Sequence, residues 1–228
     1  MATISKSTIK FLKDLKKNNH KAWFEENRAK YDAAYEEMWT FGTAVQDELS
    51  KYDELVPLSP KKIIKRIYRD VRFSKDKTPY KGYIMGGLKR DTVWKRGGYM
   101  FRVMPGESGI GCGFWAPEKD DLKLIRTQIA QDPLPLRKIL KSKKFRDLFG
   151  ELQGAQLKRA PKDFDPDHEA IDLLKYKQFL TYRSFTDAEV TGKDFKKEVV
   201  KTFRAVRPFF DYMSEILTHD ANGVPLYK

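Results

Sequence analysis

The hydrophobic period of this chain changes twice along its length, and that limits the folds open to it more than any single motif does. Phe24, Tyr31, Tyr35, Met38, Gly42, Val45, Leu49 and Tyr52 are spaced 7, 4, 3, 4, 3, 4 and 3 residues apart. That spacing puts them on one stripe of a helix. A shorter helix precedes it, capped by Ser5 or Ser7, carrying Ile9, Leu12 and Leu15 and closing at Asn18-Asn19. Gly42 costs the long helix about 1 kcal/mol of propensity relative to alanine. A bend or a close approach is therefore expected there, with the helix laid across a sheet.

After residue 56 the pattern becomes that of strands. Lys62–Arg69, Tyr83–Met85 and Tyr99–Met104 are rich in β-branched and aromatic residues, and Pro105-Gly106 marks a turn. Gly109–Trp115 alternates glycine with larger residues, leaving one nearly bare face that another backbone or a ligand can approach. Short connections between successive strands point to an antiparallel meander rather than β-α-β crossovers. Helical patterns return near 118–131, 134–150 and 168–175. A single strand over Gln178–Phe185 follows, then a helix from Gly192 to about Leu217, with Pro208 as its expected point of interruption. The expected fold is α+β: one domain over 1–228, with an antiparallel central sheet packed against several helices. Its parts are a helical region at 1–56, a mainly β region at 57–116, and helices with one returning strand at 117–228.

Charge follows the same boundaries. The chain has 45 Lys and Arg against 32 Asp and Glu, a formal +13. Residues 57–104 alone hold 14 basic and 3 acidic side chains, so nearly all of the excess lies in one stretch. A local surplus creates a potential that attracts anions, whereas a diffuse one only aids solubility. No apolar run approaches the roughly 20 residues that cross a bilayer, and no signal-peptide stretch opens the chain. The single cysteine, Cys112, forms no internal disulfide framework. A cytoplasmic protein with no membrane partner is expected.

The densest polar constellation runs from Arg69 to Lys81, RDVRFSKDKTPYK. In an extended backbone Asp70, Arg72 and Ser74 share a face, and a turn over Ser74–Pro79 brings Lys75, Lys77 and Lys81 to the same end. A guanidinium fork grips phosphate bidentately and lysines add mobile point charges. The opposing reading is a basic loop whose Asp70 and Asp76 are neutralised by local partners. A second basic loop at 157–162 contributes Lys158 and Arg159.

Other patterns carry less. Gly86-Gly87 and Gly97-Gly98 fit neither nucleotide fingerprint and read as turns. His20, His168 and His219 share no metal-ligand spacing. Asp163, Asp165 and Asp167 lack an EF-hand glycine and terminal glutamate, so Asp167 reads as a helix cap and no metal site is assigned. Lys193, Lys197, Lys201 and Arg204 lie opposite Phe195, Val199, Phe203, Val206 and Phe210 and read as a solvated helix face. Cys112, in an expected strand, reads as a buried structural thiol.

Four segments carry a family resemblance: Asn18-Asn19 followed by Trp23-Phe24, the stretch RDVRFSKDKTPYK, the glycine-rich GIGCGFWAP, and LKRAPKDFDPDH at 157–168. In that order they resemble the domain-of-unknown-function family numbered 2461, conserved in bacteria and fungi, with Cys112 departing from a region where glycine is common. The resemblance implies one intact domain over essentially the whole chain. It brings no reaction, cofactor or catalytic residue with it.

The function expected from these residues is an anion-binding module for a phosphate-bearing ligand, nucleic acid being the most natural. Arg69, Arg72, Lys75, Lys77 and Lys81 supply the field, with Lys158 and Arg159 from the second loop. An alternative is an enzyme acting on a phosphorylated or carboxylated small molecule, with Asp70, Asp76, Tyr80 or His168 in acid–base roles. A third is an adaptor that docks an acidic protein. No pattern specifies a cofactor or an oligomeric state.

Overall fold

The computed structural model describes residues 2–220 and 223–226. The fold is α+β, and the described residues form ten helices and a four-stranded antiparallel sheet. Helix α1 spans Lys6–Lys17 and is capped by Ser5, whose hydroxyl accepts from the Thr8 amide. The long helical stripe is divided into α2 (Lys21–Glu26) and α3 (Arg28–Leu49). Asn27 makes the break: its backbone leaves helical geometry and its carboxamide donates to the Trp23 carbonyl at 2.9 Å. Periodicity alone continues through such a point because the stripe stays in phase on both sides.

Lys62–Arg69 is not the strand its composition suggests. Pro60 opens a short helix α4, Pro60–Ile63, and the chain then makes isolated antiparallel bridges, Ile64 to Gly86 and Tyr68 to Tyr80. Proline is well suited to the first turn of a helix, and that local preference overrides the β-branched residues after it. Gly42 serves close packing: a Cβ there would sit 2.9 Å from Ile63 Cγ2.

The strands are β1 (Ile84–Lys89), β2 (Gly98–Val103), β3 (Ser108–Phe114) and β4 (Phe179–Phe185), ordered β1-β2-β3-β4. Gly113, at φ 136°, lies where a side chain would collide with the Phe179 carbonyl oxygen. The bare face of β3 therefore admits the backbone of β4. Between β3 and β4 lie α5 (Lys119–Gln131), α6 (Leu134–Lys141), α7 (Lys143–Phe149) and α8 (Ile171–Leu174). After β4 come α9 (Asp187–Val190) and α10 (Phe195–Thr218), the latter continuous through Pro208.

By internal contacts the described chain forms two compact units, and their division falls within the strands and within α10. The first holds the chain up to Leu88, Met100–Ile110 and Ser184–Lys201. The second holds Lys89–Tyr99, Gly111–Arg183 and the chain from Thr202 onward. In the first unit Phe41 of α3 meets Phe101 of β2 edge-on at 5.6 Å and stacks on Phe195 at 5.3 Å, so the helix does lie on the sheet. In the second, Tyr99 packs against Phe203 and Phe210 at 4.9 and 5.2 Å. Cys112 is buried there. Among the described residues no helix is long and apolar enough to cross a membrane.

Candidate functional site

The basic stretch 69–81 belongs to the first unit. Residues on either side of it are zipped together: the Arg69 amide donates to the Pro79 carbonyl at 2.9 Å and the Lys81 amide to Ile67 at 2.8 Å. This antiparallel pairing points the Tyr80 amide and carbonyl the other way, toward the α1–α2 junction. There Asn19 satisfies both: its Nδ2 donates to the Tyr80 carbonyl at 2.9 Å and its Oδ1 accepts from the Tyr80 amide at 3.1 Å. One carboxamide thus replaces a neighbouring strand and ties residues 61 apart in sequence. Tyr80 is 4% exposed and its ring stacks on Phe24 at 4.1 Å. Burial pushes its hydroxyl pKa up, and the neighbouring Tyr68 adds to the effect.

Beside this clamp opens a cleft of about 620 Å³, lined among others by Lys16, Asn19, Arg69, Tyr80, Lys81 and Tyr83. Its size suits a small ligand. Asp70 and Asp76 also face it. Arg69 is held from below, its Nη1 donating to the Asp76 carboxylate and to the Thr78 hydroxyl. The backbone amide of Thr78 and then the Arg69 guanidinium lower the Asp76 carboxyl to about 2. Asp70 forms a two-pronged pair with Arg72, Nε to Oδ1 at 3.0 Å and Nη2 to Oδ2 at 2.7 Å. Its carboxyl is likewise held below the usual carboxylate range by that guanidinium. Carboxylates kept ionised in this way have no proton to donate at neutral pH, so acid catalysis by Asp70 or Asp76 gains nothing from this geometry.

The remaining cations differ in how committed they are. Lys81 donates to the Arg66 carbonyl at 2.9 Å, and burial, then repulsion from Arg66, lowers its pKa. Lys77 donates to the Val71 carbonyl at 3.0 Å. Lys75 is exposed. Lys16, Arg69 and Lys81 line the cleft together with Asp70 and Asp76, and those carboxylates pair with Arg72 and Arg69.

Lys158, Arg159 and His168 lie in the second unit. Lys158 and Arg159 are exposed on their loop. His168 borders a cleft of about 560 Å³ between α5 and the loop, with Lys119, Lys123, Lys162 and Phe164 also on its walls. Its Nδ1 accepts from the Ala170 amide at 3.0 Å. Asp167 is not the helix cap expected of it: α8 begins at Ile171, and Asp165 instead accepts from the Asp167 amide at 2.9 Å. Among the described residues no group of three or more His, Cys, Asp or Glu is placed to hold a metal.

Lys16, Asn19 and Tyr83 were not singled out as site residues from sequence. Asn18-Asn19 carried the only usable signal, because an Asn pair ending a helix also offers carboxamides to a distant backbone. The basic segment also contains charge that faces inward. Arg90, in the second unit, is 1% exposed. It donates to the Arg96 carbonyl at 3.1 Å, the Ser214 hydroxyl at 3.3 Å and Asp211 at 2.5 Å. Arg96 pairs with Asp121 at 2.5 Å. A count of basic residues therefore overstates the outward field.

A family model described as a conserved hypothetical protein, DUF2461, matches residues 7–212. No curated protein and no solved structure matches the chain.

Proposed function

The chain belongs to the DUF2461 family of conserved hypothetical proteins, and from that premise we propose that it is an anion-binding module whose ligand presents a phosphate to the cleft beside Tyr80. The observation that carries this reading is that Lys16, Arg69 and Lys81 line one cleft of about 620 Å³, whose two carboxylates, Asp70 and Asp76, are each already paired with an arginine. Two features of those cations suit them to the task. Arg69 is already oriented by Asp76 and Thr78, so little side-chain entropy is left to lose on binding. Lys81 is partly desolvated and its charged form is disfavoured in the free protein. An incoming anion stabilises the charged form, and charge-assisted hydrogen bonds are roughly twice as strong as neutral ones. Asn19 fixes the wall between them through two backbone hydrogen bonds.

Titration calorimetry with inorganic pyrophosphate tests the reading. Saturable binding is expected, with Lys81→Met and Lys16→Met each weakening it about tenfold, at the low end of the roughly 1.5–3 kcal/mol assigned to hydrogen bonds with charged groups. Equal affinity in wild type and both variants would remove the cleft from consideration. Arg69 is unsuited to this test, since its loss also releases the loop.

A further inference from the structure

Phe73 is 96% exposed, within the stretch that is otherwise the most polar of the chain. Solitary exposed apolar residues are ordinary, but this one is held out by its surroundings. The Ser74 amide donates to the Val71 carbonyl at 3.3 Å, making Arg72 and Phe73 the two central residues of a turn. Lys77 Nζ donates to the same carbonyl at 3.0 Å. The turn is secured from the other side by Asp70, which accepts from the Arg72 amide at 3.2 Å and grips its guanidinium. That guanidinium stands 5.9 Å from the centre of the Phe73 ring. An aromatic face is therefore presented to solvent on a hydrogen-bonded turn, with Lys75 and Arg66 exposed beside it, and Arg72 and Lys77 exposed but bonded to Asp70 and to the Val71 carbonyl.

We infer that this turn is a stacking point for a single-stranded nucleic acid: one unpaired base lies on Phe73 while the flanking phosphates meet the cations of the same loop. The inference rests on the anion reading above and specifies the ligand class. A stacking aromatic set among backbone-tracking cations is the usual means of holding single strands without sequence preference. A duplex offers its phosphates but keeps its base faces closed. A protein partner fits less well, because the core of a protein interface is depleted of charge and Phe73 is the one aromatic side chain on the turn between Asp70 and Ser74.

Fluorescence anisotropy with labelled 12-nucleotide single strands, the matching duplex and a poly-glutamate of equal charge tests this, using the full chain at low salt. Single strands should bind most tightly. Phe73→Ala should weaken them about 5- to 150-fold, the equivalent of about 1–3 kcal/mol for one stacked base, while Phe73→Trp retains binding. Neither substitution should shift the melting temperature, since the side chain is in solvent. Lys75→Glu should weaken binding and flatten its salt dependence through lost counterion release. Equal binding of duplex or poly-glutamate, or an unchanged affinity in Phe73→Ala, overturns the inference. Should pyrophosphate bind the cleft while no polynucleotide binds at all, the stacking role fails and the anion reading stands. Binding of neither removes both.

Discussion

Replacing Asn19 by alanine should loosen the site and the fold together, and the structure sets the size of the effect. The carboxamide is the partner of both the amide and the carbonyl of Tyr80, at 3.1 and 2.9 Å. The other side of that backbone is occupied by the pairing of Arg69 with Pro79 and of Lys81 with Ile67, so neither group can turn to a new partner. Each part-buried group left unsatisfied costs about 1–3 kcal/mol. Partial access to water puts the pair near the lower end, about 2–4 kcal/mol in all. For a chain of this length 1 kcal/mol moves the melting temperature by roughly 2–4 °C, so a drop of about 4–16 °C is expected by calorimetry. Asn19→Asp separates the two bonds, because a carboxylate still accepts from the Tyr80 amide but faces the Tyr80 carbonyl with a second acceptor. It should be destabilised as well, and pyrophosphate affinity should fall in both variants. A melting temperature within about 1 °C of wild type in Asn19→Ala would refute the clamp.

Three further outcomes follow from the same structure. Asp211→Ala, which removes the Asp211 carboxylate from the 1% exposed Arg90, should cost about 3 kcal/mol in urea denaturation, the lower end for a broken buried pair because Asp211 is half exposed; Arg90→Met, which removes the buried charge itself, should cost less. Gly113→Ala should be destabilised by more than 1 kcal/mol, as both its φ of 136° and the Phe179 carbonyl oppose a side chain, and a wild-type melting curve would contradict the β3–β4 approach. On acidification the Asp76–Arg69 clasp should persist below the ordinary carboxyl value of 3.8 and be lost as pH falls through about 2, since a depressed folded pKa stabilises above the unfolded value and fails below the folded one; NMR titration of the Asp76 carboxyl reads this directly, and a midpoint near 3.8 would deny the pairing.

Much of the architecture was legible in the sequence because it depends on local patterning. The α1 cap at Ser5, strands β2 to β4 and the long C-terminal helix all follow from spacing and punctuation. The misses have local causes too. Asn27 breaks a stripe that stays in phase across it, and Pro60 turns a β-like run into a helix start. The candidate site was half legible. Charge density and the family resemblance both led to Arg69–Lys81, and the local pairing of Asp70 and Asp76, weighed there as the alternative, is what the structure contains. What stayed hidden is tertiary. Lys16 reaches the cleft from α1, Asn19 clamps a residue 61 positions away, and Arg90 spends its charge inside the second unit.

The central claim, that a phosphate is held beside Tyr80 by Lys16, Arg69 and Lys81, is tested most directly by an amide chemical-shift titration of the whole chain with inorganic pyrophosphate. The account predicts saturable shifts centred on Asn19, Arg69, Tyr80, Lys81 and Gly82, strongly reduced in Lys81→Met. Shifts centred elsewhere, or none at millimolar pyrophosphate and low salt, would contradict it.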